Sequence, residues 1–272
     1  MTAAPSRLVE SRDGTPIAVF TSGAGPSIVL VHGAAADHTT FRVIGPMLAE
    51  RFTVHAIDRR GRGASGDTPP YAIEREFEDV AAVVDTLARE TGARVDVIGH
   101  SYGGRVALGA ALLTDSIRRV VSYEGAPAAP DVRYGDEALA GELADLDRAD
   151  RPEAVLEAFL RRVVGMDDAA LAAYRADPVW PLRVAAAHTI PRELAAEGKA
   201  GGAGLDALGR VRQPVLQILG GDSVAAFREA TIALDGRLAD GRIVVIEGAR
   251  HAAHHTHPGA MVEAIASFLA EP

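Results

Sequence analysis

The segment Val95–Leu113 constrains this chain more than any other. It reads V-D-V-I-G-H-S-Y-G-G-R-V-A-L-G-A-A-L-L. Val95 to Gly99 has the composition of a buried strand, and Gly103 to Leu113 that of a helix. Gly99-His100-Ser101-Tyr102-Gly103 joins them in the pattern G-x-S-x-G. A strand that turns into a helix without a loop makes a sharp, strained turn, so its neighbours must be small. Such a turn lifts the serine hydroxyl above the sheet. It also aims the backbone N–H groups of the helix start at any negative charge formed there. Ser101 is therefore the candidate nucleophile.

The flanking sequence agrees with that geometry. Strand-like runs occur at Ile17–Thr21, Ser27–His32, Phe52–Ile57 and Arg119–Glu124. Helical patterns lie between them, from about Thr40 to Arg51 and over residues 74–91. The same rhythm resumes at Pro214 with strands Val215–Leu219 and Arg242–Ile246 and helices over 225–238 and 260–269. Alternating strands and helices predict βαβ units and a mainly parallel sheet covered by helices on both faces. Residues 127–210 hold no convincing strand and carry helical periodicity, with helices expected over 152–164 and 167–175. The reading is an α/β core, residues 1–126 and 211–272, with a helical cap, residues 127–210, inserted after the strand that ends at Glu124. Gly198–Gly204 is expected to be a loop.

Composition narrows the function classes. An apolar fraction of 48% over 272 residues supports one large core. A formal charge of -9 argues against a nucleic-acid surface. Without cysteine there is no disulfide, thiolate metal site or cysteine nucleophile. No apolar run is long enough for a membrane span and Met1–Glu10 does not resemble a signal peptide, so a cytoplasmic protein is the default expectation.

Four motifs in order resemble the α/β-hydrolase family, and the resemblance covers nearly the whole chain. They are Val31-His32-Gly33, Asp58-Arg59-Arg60-Gly61-Arg62-Gly63 with Ser65-Gly66, the Ser101 turn, and Gly248-Ala249-Arg250-His251. The chain is most similar to capped bacterial esterase- and lipase-like members. The resemblance implies a triad in the order serine, acid, histidine. A serine hydroxyl needs a base to take its proton, and His251 stands in the family position, just after the last strand. His254, His255 and His257 are expected to be solvated or capping residues, and a metal site among these histidines is the remote alternative.

Two carboxylates at strand ends compete to orient the imidazole. Asp222, in Leu219-Gly220-Gly221-Asp222-Ser223, is the first choice, because the family usually places its acid there. Its spacing from Gly220 is one residue short of that pattern. Glu124 is the second choice, because some relatives, notably haloalkane dehalogenases, carry their acid at the end of that strand. The resemblance also implies an oxyanion hole built from the N–H groups of Ala34 and Tyr102. Arg59, Arg60 and Arg62 are expected to pair with acids and hold their loop, and Trp180 to pack within the cap.

The implied reaction is hydrolysis of a small to medium, partly apolar ester or lactone through an acyl-enzyme, with no cofactor and no metal. The expected partner is that small-molecule substrate, with oligomeric state open. The alternatives are carbon–carbon bond hydrolysis, cofactor-free peroxidase or oxygenase chemistry, and lyase chemistry on the same serine and histidine. A non-catalytic small-molecule receptor is more remote.

Overall fold

The computed structural model describes residues 4–136, 138–197 and 203–271. Eight strands make one sheet: β1 (Arg7–Glu10), β2 (Pro16–Ser22), β3 (Ser27–Val31), β4 (Thr53–Ile57), β5 (Val95–His100), β6 (Ile117–Tyr123), β7 (Val215–Gly220) and β8 (Gly241–Ile246). Their spatial order is β1-β2-β4-β3-β5-β6-β7-β8. The β1–β2 and β2–β4 pairs are antiparallel and every other pair is parallel. Strand β1 was not anticipated. It has four residues, only one of them buried, so its apolar signal is too short to read.

Alternate side chains of β3 enter two separate cores, as the pleat requires. Ile28 and Leu30 face one layer, with α1 (Ile44–Ala49) and the C-terminal helix; Val29 and Val31 face the other, with α2 (Ile73–Thr91) and α3 (Tyr102–Ala111). These side chains are fully buried. Each contributes about 1.5–3 kcal/mol relative to exposure. The helix expected from Thr40 is split. A 3-10 turn over His38–Phe41 comes first, capped by the Asp37 carboxylate, which accepts from the Thr39 amide at 3.0 Å.

Between β6 and β7 the chain forms α4 (Leu139–Arg148), α5 (Pro152–Arg162), α6 (Asp168–Arg175), α7 (Trp180–Ala186), α8 (Ile190–Glu197) and α9 (Leu205–Leu208). Residues 198–202 of the expected glycine-rich loop lie outside the described residues; Ala203 and Gly204 lead into α9. Leu143, Val155, Leu156, Leu171 and Ile190 give these helices their own core, which also takes in Ala35 of the β3 loop. Trp180 belongs to that packing. Its indole donates to Glu153 at 3.1 Å and meets the edge of Tyr174. After β7 come α10 (Ala225–Asp235), β8, α11 (Ala253–Thr256) and α12 (Pro258–Leu269).

Ion pairs tie the inserted helices to the sheet. Arg183 donates to Asp37 at 2.8 Å, with side chains 2% and 7% exposed. Arg192 meets Asp67 and Asp177 meets Arg42, both at 2.6 Å. Glu193 meets Arg59 at 2.5 Å.

Candidate active site

Ser101 occupies the turn between β5 and α3 with φ +55°, in the left-handed region that L-residues avoid. Its amide donates to the Tyr123 carbonyl at 2.7 Å, which helps hold the strained turn. Packing explains the glycines on either side. A Cβ on Gly99 would lie 2.3 Å from the Gly103 carbonyl oxygen, and one on Gly103 would lie 2.3 Å from the carbonyl oxygens of Val31 and His32. A Cβ on Gly33 would approach the Ser101 Cβ to 3.0 Å, so the loop after β3 lies directly against the serine. Ala35 in that loop and Glu124 after β6 also have positive φ, +47° each. Three non-glycine residues thus carry backbone strain of order 1–3 kcal/mol each around one spot.

The turn after β6 brings Glu124 to His251. Oε2 of the carboxylate lies 2.5 Å from the imidazole Nδ1, and Oε1 accepts from the Gly220 amide at 2.8 Å. The Glu124 side chain is wholly buried. An ionised carboxylate accepts and does not donate, so in such a pair Nδ1 is the donor and the lone pair lies on Nε2. Phe227 of α10 stacks on the His251 ring at 4.3 Å and 12°. Tyr123, one residue before Glu124, holds the backbone on both sides of the histidine. Its hydroxyl donates to the Arg250 carbonyl and accepts from the Ala253 amide at 3.0 Å.

Asp222, the acid favoured by position, stands elsewhere. It is exposed, and its side chain makes no hydrogen bond or ion pair among the described residues. Its amide donates to the Ala249 carbonyl at 2.9 Å. The loop that is one residue short closes back on residue 249, and the Gly220 amide at the strand end serves Glu124 instead. His254 also differs from the solvated residue expected. It is 3% exposed, not solvated, with its ring 4.4 Å from that of His100. Burial above all, then neighbouring cationic and imidazole groups, holds His100 and His254 well below the usual imidazole range. Both rings are therefore neutral at pH 7. His100 donates Nε2–H to the His251 carbonyl at 2.9 Å.

The three loop arginines are structural. Arg59 pairs with Glu76 at 2.6 Å and donates to the carbonyls of His32 and Gly33 at 3.3 and 3.1 Å, which fixes the loop before Ala34. Arg60 pairs with Asp79 at 2.6 Å and Asp13 at 2.9 Å. Arg62 pairs with Glu193 and donates to the Arg60 carbonyl at 2.6 Å. Burial works against the Glu76 charge, but Arg59 and Arg62 outweigh it and hold the group down at about 2.

Ser101 lines two recesses. The larger runs between His100, His251, His254 and the apolar residues Leu156, Leu160 and Met166. The smaller is bounded by Tyr102, Glu124, Phe159, Ile190, Glu193 and Phe227. Ala34 lines both. Phe227, Tyr123 and Glu193 carry no signal for the site in the sequence. Each has an ordinary place in a helix or strand, and only the fold brings it there. Among the described residues no cluster of histidine and acidic side chains could hold a metal ion, and no helix is long and apolar enough to cross a membrane.

Residues 28–264 match the sequence model of the Alpha/beta hydrolase family. The chain belongs to that family. An alpha/beta hydrolase from Sphaerobacter thermophilus superposes with a TM-score of 0.81 at 33% identity, covering 95% of this chain and 100% of the other. The enol-lactonase from Burkholderia xenovorans superposes at 0.77 with 25% identity, covering 97% and 100%. The 2-(acetamidomethylene)succinate hydrolase of Mesorhizobium japonicum is 28% identical over 258 residues, 92% of this chain and 90% of that protein. The match to a mycobacterial relative, 40% identical over 103 residues, spans only 17% of that protein's length. As an α/β hydrolase, the chain has the eight-stranded, mostly parallel sheet flanked by helices expected of the family.

Proposed function

We propose that this α/β hydrolase is a serine hydrolase that cleaves a carboxylic ester or lactone of small to medium size through an acyl-enzyme. The observation that carries the reading is the 2.5 Å contact of Glu124 with His251 Nδ1, in a cleft that Ser101 also lines. Ser101 attacks the carbonyl carbon and His251 Nε2 takes its proton. Glu124 keeps the imidazole in the required tautomer and stabilises the imidazolium. The tetrahedral oxygen receives the N–H groups of Tyr102, at the start of α3, and Ala34, on the loop packed against Ser101. His251 then protonates the leaving alcohol. Water, deprotonated by the same imidazole, releases the acid. No step requires a metal or cofactor.

The helices between β6 and β7 act as a cap, residues 127–210, over a core of residues 1–126 and 211–272. They supply Leu156, Phe159, Leu160 and Ile190 to the walls of the recesses, which suits a partly apolar substrate. The similarity to an enol-lactonase supports ester or lactone chemistry. The test is pre-steady-state turnover of p-nitrophenyl acetate and butanoate. A burst of one p-nitrophenol per active site is expected, with a linear phase after it. No turnover of any ester, with carbon–carbon or peroxide chemistry in its place, would overturn the reading.

A further inference from the structure

The two recesses that meet at Ser101 differ in chemistry, and Glu193 makes the difference. This side chain comes from α8 and is 3% exposed. Its Oε1 is taken by Arg59 at 2.5 Å and by Arg62. Its Oε2 is buried with no hydrogen-bond partner among the described residues, and the residue borders the smaller recess. A buried acceptor left without a donor destabilises the site around it. Because Glu193 borders the smaller recess, a ligand's donor seated there can reach that oxygen with a small shift of the side chain, and the contact would be favourable.

The roles of the recesses follow from His251. The imidazole that protonates the leaving oxygen lines the larger recess and not the smaller one. The leaving alcohol therefore occupies the larger recess, and the acyl arm enters the smaller, against Glu193. The charge count specifies the donor. Arg59 and Arg62 already balance Glu76 and Glu193, so Oε2 calls for a neutral donor rather than a cation. Arg105 borders the same recess, with its Nε donating to the Ala203 carbonyl at 3.0 Å.

We infer that Glu193 Oε2 accepts a hydrogen bond from a hydroxyl on the substrate's acyl arm, which makes esters of small hydroxy acids the preferred class. The assignment of arms rests on the hydrolase reading above. A site built to hydrogen-bond a hydroxyl rejects the analogue that lacks it far more strongly than an apolar pocket rejects a lost methylene.

The test is binding to the Ser101→Ala variant, measured by NMR titration, so that no turnover is needed. Ethyl 3-hydroxypropanoate should bind about tenfold or more tightly than its isostere ethyl butanoate. Ethyl methoxyacetate, an acceptor without a donor, should bind no better than the butanoate. In Glu193→Gln, added to the same variant, the amide oxygen must face Arg59 and Arg62, which turns its NH₂ into the recess. The preference for the hydroxylated over the methoxy ester should then fall by about tenfold. Equal binding of hydroxypropanoate and butanoate would overturn the inference without any change at residue 193. So would a preference unaltered in Glu193→Gln, or tighter binding of monoethyl malonate, which would give the recess to Arg105. Lack of ester turnover by the unmodified enzyme would instead count against the hydrolase reading, and the binding ratios would still decide the role of Glu193.

Discussion

Glu124 and His251 lie 127 residues apart in the chain, and their side chains meet at 2.5 Å. The second oxygen of the carboxylate is held by the Gly220 amide, so both oxygens are engaged and the carboxylate cannot rotate away. Three strand ends, β6, β7 and the loop after β8, thereby converge on one imidazole.

Replacing either carboxylate separates the two acids that position alone left in competition. Glu124→Gln should lower kcat for p-nitrophenyl butanoate by about 10³–10⁴, since the amide favours the wrong tautomer. Asp222→Asn should change it less than about twofold, as expected of an exposed residue. Steady-state kinetics on both folded variants decides this. Comparable losses would refute the assignment.

Tyr123 positions the histidine through its hydroxyl. Tyr123→Phe leaves the Arg250 carbonyl and the Ala253 amide without their partner, at a cost of about 1–3 kcal/mol. The expected result is a kcat lower by about tenfold with KM little changed, because the loop carrying His251 loosens while the recesses keep their walls. A rise in KM alone would contradict this role.

Arg183 and Asp37 are both buried, and each leaves an uncompensated charge if the other is removed. Arg183→Met should destabilise the protein by about 3–5 kcal/mol. Arg183→Met with Asp37→Asn should cost much less than the sum of the two single changes. Urea denaturation of the four proteins in the cycle measures the coupling. Additive losses would show that the pair does not anchor α7.

The sheet and the serine turn were legible because they rest on strong local signals. Apolar runs such as Ser27–Val31 are buried on both faces, and the Ser101 turn demands glycine at 99 and 103. The acid was ambiguous because both Glu124 and Asp222 stand at strand ends. What separates them is a backbone path, φ +47° at residue 124 and a short loop after β7, which no residue type announces. Glu193 was invisible for a related reason. Its helix reads as an ordinary amphipathic segment, and its burial comes from Arg59 and Arg62, more than 130 residues earlier.

Several imidazoles make stability fall on the acid side. Burial, with nearby imidazoles or arginines, holds His32, His100 and His254 well below their ordinary value, and holds His55 and His255 at about 4. In the unfolded chain these groups protonate near 6.5. Their folded values are lower, so the unfolded state takes up protons first. Stability is complete above that value and declines as pH falls from about 6.5 towards 4, by up to about 1.4 kcal/mol per pH unit for each histidine. Glu76, held at about 2, acts in the same direction below its unfolded value, while Asp79, raised by burial, offsets part of the loss. Urea midpoints at pH 7.5 and 5.0 should show a clear drop. A flat profile would refute the neutral histidine cluster.

In the proposed mechanism the Ser101 hydroxyl is the atom that becomes acylated. Mass spectrometry after treatment with a fluorophosphonate tests this directly. One adduct per chain on the peptide carrying Ser101 is expected, formed far more slowly in Glu124→Gln and absent in Ser101→Ala. An adduct on another residue, or ester turnover retained in Ser101→Ala, would contradict it.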